Sequence, residues 1–407
     1  MKTIQGDYDC LAGKTVLVLD SDKIQSLPLL KAFHQLGCAV DTVGLTRHGV
    51  GAVSRFGRRH HVIPVKPSQE DEYLNRLIRV LEGDRYDLVI SLDDASARFL
   101  SKNREHLSRY AFIAAERWEK FELADDKLRT MRVCMENGIP CPKTFSLSDN
   151  LNDILAAVDS YPVALKPRVA CSGKGFRKVS SREELETVYD AAVREFGPML
   201  VEEYIPQTGT QYKCDVYIDR SGEVKSAFVY EKPRWYPVTG GSSCCNVTVD
   251  RPDLIAHSVS LLQKIGWRGY ADLDLIEDPR DGSVRIMEIN PRICGSIKIA
   301  FLAGIDFARQ ILEDESGMPV TRYTDYKKGV VMRHLLFDAL WFLKSPRRFR
   351  TKPSWFRFWN FSGQVFSWDD PIPTLAYLLK LILRQFGKIA RTRPRASVPS
   401  APPRDLM

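Results

Sequence analysis

Four residues in two short runs have the types and spacing to hold a divalent cation. Tyr270-Ala271-Asp272-Leu273-Asp274-Leu275-Ile276 alternates acidic with apolar residues, and Val284-Arg285-Ile286-Met287-Glu288-Ile289-Asn290 ends in an acid and an amide two apart. Period two predicts two strands, with Asp272 and Asp274 on one face of the first and Glu288 and Asn290 on one face of the second. Asp278, Pro279, Asp281 and Gly282 supply the turn between them. Such a hairpin sets carboxylates and an amide oxygen side by side as hard ligands on a rigid support, which suits Mg²⁺ shared with the phosphates of a nucleotide. Arg292 adds a fixed cation just beyond. The alternative is a solvated hairpin face, which would carry Lys, Thr and Ser outward; no Lys interrupts the four ligands.

Two further stretches carry charge of the kind phosphates require. Val163-Ala164-Leu165-Lys166-Pro167-Arg168 reads as a strand ending in lysine, and it leads into Cys171-Ser172-Gly173-Lys174-Gly175-Phe176. A Ser/Gly/Lys/Gly turn can lay backbone N–H groups and one ammonium over phosphates, or it can be a plain hairpin turn. Met199-Leu200-Val201-Glu202-Glu203-Tyr204-Ile205-Pro206 is an apolar strand that turns acidic and stops at proline. Main-chain groups freed at such an exit can bond an adenine edge, and the segment can equally link two domains. Later, Glu231-Lys232-Pro233-Arg234-Trp235-Tyr236 runs toward Thr239-Gly240-Gly241-Ser242-Ser243. Lys232 and Arg234 can clamp a carboxylate beside the Gly-Gly-Ser turn, or they can be two solvated cations of a surface hairpin.

These residues need a scaffold. The chain has 407 residues, 44% of them hydrophobic and 27% charged, enough for two or three globular domains. Runs at 15–19, 39–43 and 88–91 read as short buried strands, alternating with helices that end near Gln35 and span about 70–81. That alternation predicts a parallel, doubly wound sheet over 1–115, without a G-x-G-x-x-G after its first strand. A helix over 125–137 closes at Gly138-Ile139-Pro140. Strands dominate from 163 to 290, interrupted by helices at 182–196 and 252–265, and Trp- and Arg-rich helices follow Gly329. Residues 391–407 are rich in Pro, Ser and Arg and read as a disordered tail. No apolar run reaches the roughly 20 residues of a membrane helix. Residues 1–10 lack the pattern of a secretory signal, and nine cysteines show no C-x-x-C pair, so reduced thiols and a cytoplasmic location are expected.

In this order the motifs resemble the ATP-grasp superfamily, particularly its carbamoyl-phosphate-synthase-like, biotin-carboxylase-like and D-alanine–D-alanine-ligase-like members. The most specific piece is Glu288-Ile289-Asn290-Pro291-Arg292, and the resemblance covers about residues 10–315. It implies an α/β and α+β chain: a Rossmann-like domain at 1–115, two ATP-grasp lobes at 116–205 and 206–328, and a helical extension at 329–390. It implies that Lys127 and Lys166 hold phosphates and that Ser172, Gly173, Lys174 and Gly175 close over them. Glu202, Glu203 and Ile205 would meet the adenine edge, with Met287 packed on the base. Asp274 and Glu288 would hold two ions, Mg²⁺ or alternatively Mn²⁺, with Glu288 bridging and Asn290 on the second. Arg292 would stabilise the transferring phosphoryl group. Gln211 stands where many relatives have a Glu that bonds the ribose hydroxyls, and it keeps one acceptor.

The implied activity joins a small-molecule carboxylate to an amine through an acyl phosphate and forms ADP. A thiol acceptor, a phosphoryl-transfer outcome and a non-catalytic ATP-binding module are the alternatives. Partners beyond substrates come from the net charge of +8, much of it late in the chain. Residues 344–359 contain six basic residues, no acid, and interleaved Phe and Trp. That texture suits an anionic membrane surface, or aromatics packed on a neighbouring domain; nucleic acid is not expected, and the oligomeric state is not legible. Cys171, near Arg168, Lys174 and Lys166, reads either as a reactive thiol that bound nucleotide covers or as a small residue whose sulfur points into the core of the lobe.

Overall fold

Short apolar strands separated by amphipathic helices shape the first part of the chain. The computed structural model describes residues 11–145, 148–170, 173–238 and 241–392. Cys171, Ser172, Thr239, Gly240 and the segment 393–407, about which the sequence raised expectations, lie outside those residues. The order is β1 (Thr15–Val18), α1 (Ser26–Gln35), β2 (Ala39–Gly44), β3 (Arg59–Val62), α2 (Glu70–Gly83), β4 (Leu88–Ile90), α3 (Asp94–Lys102), α4 (Arg104–Leu107) and β5 (Phe112–Ile113). All five strands are parallel, in the order β3-β2-β1-β4-β5. Leu17 packs toward Tyr73 and Leu77 of α2, whereas Val16 and Val18 pack toward Leu29 and Phe33 of α1. Burial on both faces explains why β1 reads as an unbroken apolar run. The edge strand β3, Arg59-His60-His61-Val62, has no such run, and the sequence pattern missed it.

The helix expected over about 125–137 is α6 (Lys127–Glu136), and a further helix that the pattern missed, α5 (Trp118–Asp125), precedes it. Asp126 leaves helical geometry (φ −88°, ψ 110°) and caps α6, its carboxylate accepting from the N–H of Leu128 at 2.9 Å. Lys127 is thereby fixed at the first helical position, 9% exposed.

Two sheets follow, antiparallel except at one edge of the larger one. α7 (Leu151–Ala157), β6 (Val163–Pro167), β7 (Arg177–Val179), α8 (Arg182–Phe196) and β8 (Met199–Glu203) form a three-stranded layer, β7-β6-β8, under two helices. β9 (Gln211–Ile218), β10 (Val224–Tyr236), β11 (Ser242–Val249), α9 (Pro252–Ile265), β12 (Gly269–Glu277), β13 (Val284–Asn290), α10 (Lys298–Ala303) and α11 (Phe307–Glu315) build the second unit. β14 (Val331–Arg333), α12 (Leu335–Lys344), β15 (Ser362–Gly363) and α13 (Ile372–Thr392) complete the chain. The large sheet runs β13-β12-β9-β10-β11-β14-β15, with β15 parallel to β14 at its edge. The part after Gly329 is therefore not wholly helical: β14 pairs with β11 and extends the sheet that carries the hairpin. Three residues are too short a run to read as a strand among Trp- and Arg-rich neighbours. Among the described residues, no helix is long and apolar enough to cross a membrane.

Candidate active site

β12 and β13 pair antiparallel with Asp272 opposite Asn290 and Asp274 opposite Glu288, so the alternation seen in sequence puts these side chains together. The Asn290 amide donates to Asp274 Oδ2 at 2.9 Å and to Asp272 Oδ2 at 3.3 Å. Cations surround the group. Lys232 of β10 reaches Asp274 Oδ1 at 2.6 Å, and Lys213 of β9 reaches Asp274 Oδ2 at 3.0 Å while also pairing with Asp272. Lys127 meets Glu288 Oε2 at 3.0 Å and donates to the Ala170 carbonyl at 2.7 Å. Arg292 Nε donates to Asp94 Oδ1 at 2.7 Å, joining the hairpin to the first turn of α3 in the N-terminal sheet.

Charge balance fixes the protonation states. Burial pushes the Asp274 carboxyl up, but Lys213 and Lys232 outweigh it and hold it well below the usual carboxylate range. Burial works against the Lys127 ammonium, yet Glu288, with Asp125 and Asp94 further off, leaves it raised. Behind the hairpin, burial raises Asp272, and burial together with the Asp272 charge raises Asp215 well above its ordinary value. Asp215, Asp272 and the Cys294 thiol bring ligand atoms within 4.8 Å of one another. Burial raises all three above their ordinary values, and Lys213 pairs with Asp272 at the edge of the cluster.

The first small sheet faces this group. Lys166 of β6 pairs with Glu202 Oε1 of β8 at 2.6 Å, and the charge of Lys127 also reaches Glu202. Glu202 Oε2 is buried and has no hydrogen-bond partner among the described residues. Glu203 ties β8 to the β12–β13 hairpin, accepting from Arg280 at 3.0 Å and from Arg285, and it also accepts from the N–H of Lys143 at 3.0 Å. Ile205 is buried, Met287 half-buried, and Gln211 Nε2 lies 3.4 Å from Gln207 Oε1 at the start of β9. In the loop after β6, Gly175 has φ +74° and a Cβ there would meet Pro167 Cγ at 2.6 Å, so only glycine fits. Gly173 and Lys174 of the same loop are exposed.

The structure corrects the expectation for Arg234. It is fully buried: Nε donates to Asp338 Oδ1 at 2.5 Å, Nη1 to the Pro353 carbonyl at 2.7 Å, and Arg333 shares Asp338 from the other side. Strict alternation would put Lys232 and Arg234 on one face. A β-bulge between Glu231 and Arg234 breaks it, sending Lys232 to Asp274 and Arg234 under α12. Arg234 is a cross-link, not a substrate clamp. Lys213 and Asp94 were missed. A lysine inside Tyr212-Lys213-Cys214-Asp215-Val216 was a legible signal, because a charge within an apolar strand demands a partner. Asp94 gave none beyond its place after β4.

An N-terminal parallel sheet, two mainly antiparallel sheets with a carboxylate hairpin, and lysines from both sides of a cleft define a nucleotide-clasping class of enzyme. A family described as ATP-grasp in the biosynthetic pathway with Ter operon matches residues 195–336, in line with the resemblance that the motifs carry. It is similar to the D-aspartate ligase of Enterococcus faecium (strain Aus0004), 28% identical over 290 residues, covering 65% of this chain and 68% of that enzyme. It is also similar to the D-alanine–D-alanine ligase of Pseudomonas entomophila (strain L48), 27% identical over 206 residues, 47% of this chain and 63% of that one. The chain thus spans about two thirds of the length of these ligases. In fold it matches the biotin carboxylase domain of Hydrogenobacter thermophilus 2-oxoglutarate carboxylase in complex with MgADP and bicarbonate. The TM-score is 0.65 at 19% identity, over 78% of this chain and 73% of that one.

Proposed function

We propose that the protein is an ATP-dependent ligase that joins a carboxylate to an amine through an acyl phosphate, releasing ADP and phosphate. The observation that carries this reading is the Asp274–Glu288–Asn290 group with Lys127 against it. It offers hard oxygen ligands together with the cations that phosphoryl transfer needs. Asp274, Glu288 and Asn290 fit Mg²⁺ by donor type, and the bound ion would add positive charge at the β- and γ-phosphates. Two ions with Glu288 between them, and activity with Mn²⁺, belong to the proposal. The N-terminal sheet serves as the Rossmann-like domain, and the nucleotide sits between β6–β8 and the hairpin.

Each residue then has a task. Lys127 and Lys166 supply ammonium charge to phosphate oxygens in a cleft where screening is weak. Glu202 Oε2, buried and unpartnered, accepts from the exocyclic amino group of adenine, beside Glu203 and Ile205. Met287 packs on the base, Gln211 bonds the ribose, and Gly173, Lys174 and Gly175, with Ser172, cover the phosphates. A carboxylate acylates poorly because its leaving group would be oxide. When a carboxylate oxygen takes the γ-phosphoryl group, the bond to the β–γ bridging oxygen breaks and ADP leaves. The amine nitrogen then attacks the carbonyl carbon, the C–O bond to phosphate breaks, and the nitrogen loses a proton. Arg292, held by Asp94, balances charge on the transferring group, and we place the carboxylate substrate at this junction with the N-terminal sheet. Lys232 holds Asp274 ionised for the metal.

The related ligases are named for D-aspartate and D-alanine, so we propose an amino acid as one substrate and the cytoplasm, where ATP is supplied, as the place of reaction. The test is a screen of amino acids and other carboxylates and amines for Mg²⁺-dependent release of ADP and phosphate, with hydroxylamine as a trap. A hydroxamate formed from the carboxylate alone supports the acyl phosphate. Substrate-dependent ADP release that yields no hydroxamate, and a phosphorylated product instead, would overturn it.

A further inference from the structure

We propose that α13 and the turn before it dock this protein on the surface of an anionic lipid bilayer. Ile372, Leu375, Leu379, Ile382 and Leu383 fall at i, i+3, i+7, i+10 and i+11, the spacing of a single helix face. Each is between 51% and 66% exposed. Trp368, four residues ahead of the helix, is 89% exposed. The opposite side of α13 is fixed to the body of the protein. Pro373 is buried, the Tyr377 hydroxyl lies 2.9 Å from His334 Nε2, and Lys380 Nζ lies 3.5 Å from Asp22 Oδ1. The apolar ridge is therefore held outward by contacts on its back, not left over from a frayed end.

Charge selects the occupant. From Pro371 through Arg404 the sequence has seven Lys and Arg and no Asp or Glu. A second copy of the chain, docked face to face, would set this basic segment against itself. A bilayer containing anionic lipids offers opposite charge at the headgroups and apolar depth for Leu, Ile and Trp. At 21 residues α13 is about 31 Å long, and its amphipathic pattern suits lying along the interface. The sequence pointed to 344–359 for such contact. There Phe342, Trp355, Phe349 and Phe356 contact one another, with the Phe342 and Trp355 rings 4.2 Å apart, while Phe349, Phe358 and Trp359 stay exposed. The docking face proposed here is the ordered ridge of α13, which that basic and aromatic stretch can flank.

The inference does not depend on the ligase reading, and its test uses the full chain. Co-sedimentation with vesicles of phosphatidylcholine containing 30% phosphatidylglycerol is compared with phosphatidylcholine alone, at low and high salt; the composition is a choice of probe, on the order of that in anionic membranes. Partition onto the anionic vesicles should exceed that onto neutral ones by at least about tenfold and fall as salt rises. Combined Leu375→Ser, Leu379→Ser and Leu383→Ser should lower it by at least about tenfold with the far-UV circular dichroism kept. Equal partition onto neutral and anionic vesicles, or unchanged partition of the triple variant, overturns the proposal. So does a concentration-dependent dimer, seen by sedimentation velocity, that the same three substitutions dissolve.

Discussion

At the residue level the site is a row of alternating charges, each held by its opposite: Arg292 by Asp94, Asp274 by Lys213 and Lys232, Glu288 by Lys127, Glu202 by Lys166. Such a row tolerates a change of shape better than a change of charge. Glu288→Gln keeps the volume and one oxygen, but leaves Lys127 without its anion and a metal without its ligand. ADP formation with an identified substrate pair should drop by at least about a hundredfold while the fold persists. Retention of more than about a tenth of the wild-type rate would remove Glu288 from the metal-holding role. Glu288, Asp274 and Asn290 were legible because period two is a local rule that strand pairing preserves. Lys213 showed only that it needs a partner and Asp94 showed nothing, since each finds its partner across 59 residues or more of chain.

Elements decide what the bulged strand β10 does with its two cations. Arg234 and Arg333 converge on Asp338 inside the protein, tying β10 and β14 to α12. Removing Asp338 strands two buried guanidinium groups. Asp338→Ala should cost about 3–5 kcal/mol in urea unfolding, far more than Asp325→Ala at the exposed pair with Lys328. Equal, small losses from both would show that the buried pair holds nothing together. His334, which caps α12 and meets Tyr377 of α13, is held neutral: burial pushes its pKa down to about 4. Its unfolded value is about 6.5, so below that pH the unfolded chain binds a proton that the folded chain refuses. The stability His334 confers is full above pH 6.5 and falls as pH drops toward 4, by at most about 3 kcal/mol. The difference in unfolding free energy between wild type and His334→Gln should therefore shrink as pH falls through that window. A difference independent of pH would mean that folding leaves the His334 pKa unshifted.

Across the whole molecule the proposed nucleotide cleft is built from parts that no single sheet contains. Lys166 and Glu202 belong to β6–β8, Glu288 and Asp274 to β12–β13, and Lys127 sits on α6 between them. A ligand that touches all three should stabilise the folded protein by linkage, by about 2.7 kcal/mol at a hundred times its Kd. Mg·ATP should thus raise Tm in wild type and in Lys66→Ala, an exposed control, but far less in Lys127→Ala and Lys166→Ala. Equal shifts in all four proteins would place the nucleotide elsewhere.

The sequence alone determined the hairpin and the faces of its ligands, the lysine strand and glycine loop, the helices α8 and α9, and the parallel core strands. Each follows from periodicity or turn chemistry within about ten residues. Tertiary structure decided the rest. A bulge, invisible as pattern, turned Arg234 away from Lys232 and into the interior. Pairing with β11 drew β14 into the large sheet, because an unpaired strand edge needs hydrogen bonds from wherever the chain can supply them. Contact between Arg292 and Asp94, 198 residues apart, fixed the hairpin to the N-terminal sheet, since a buried guanidinium requires a carboxylate from whatever packs against it.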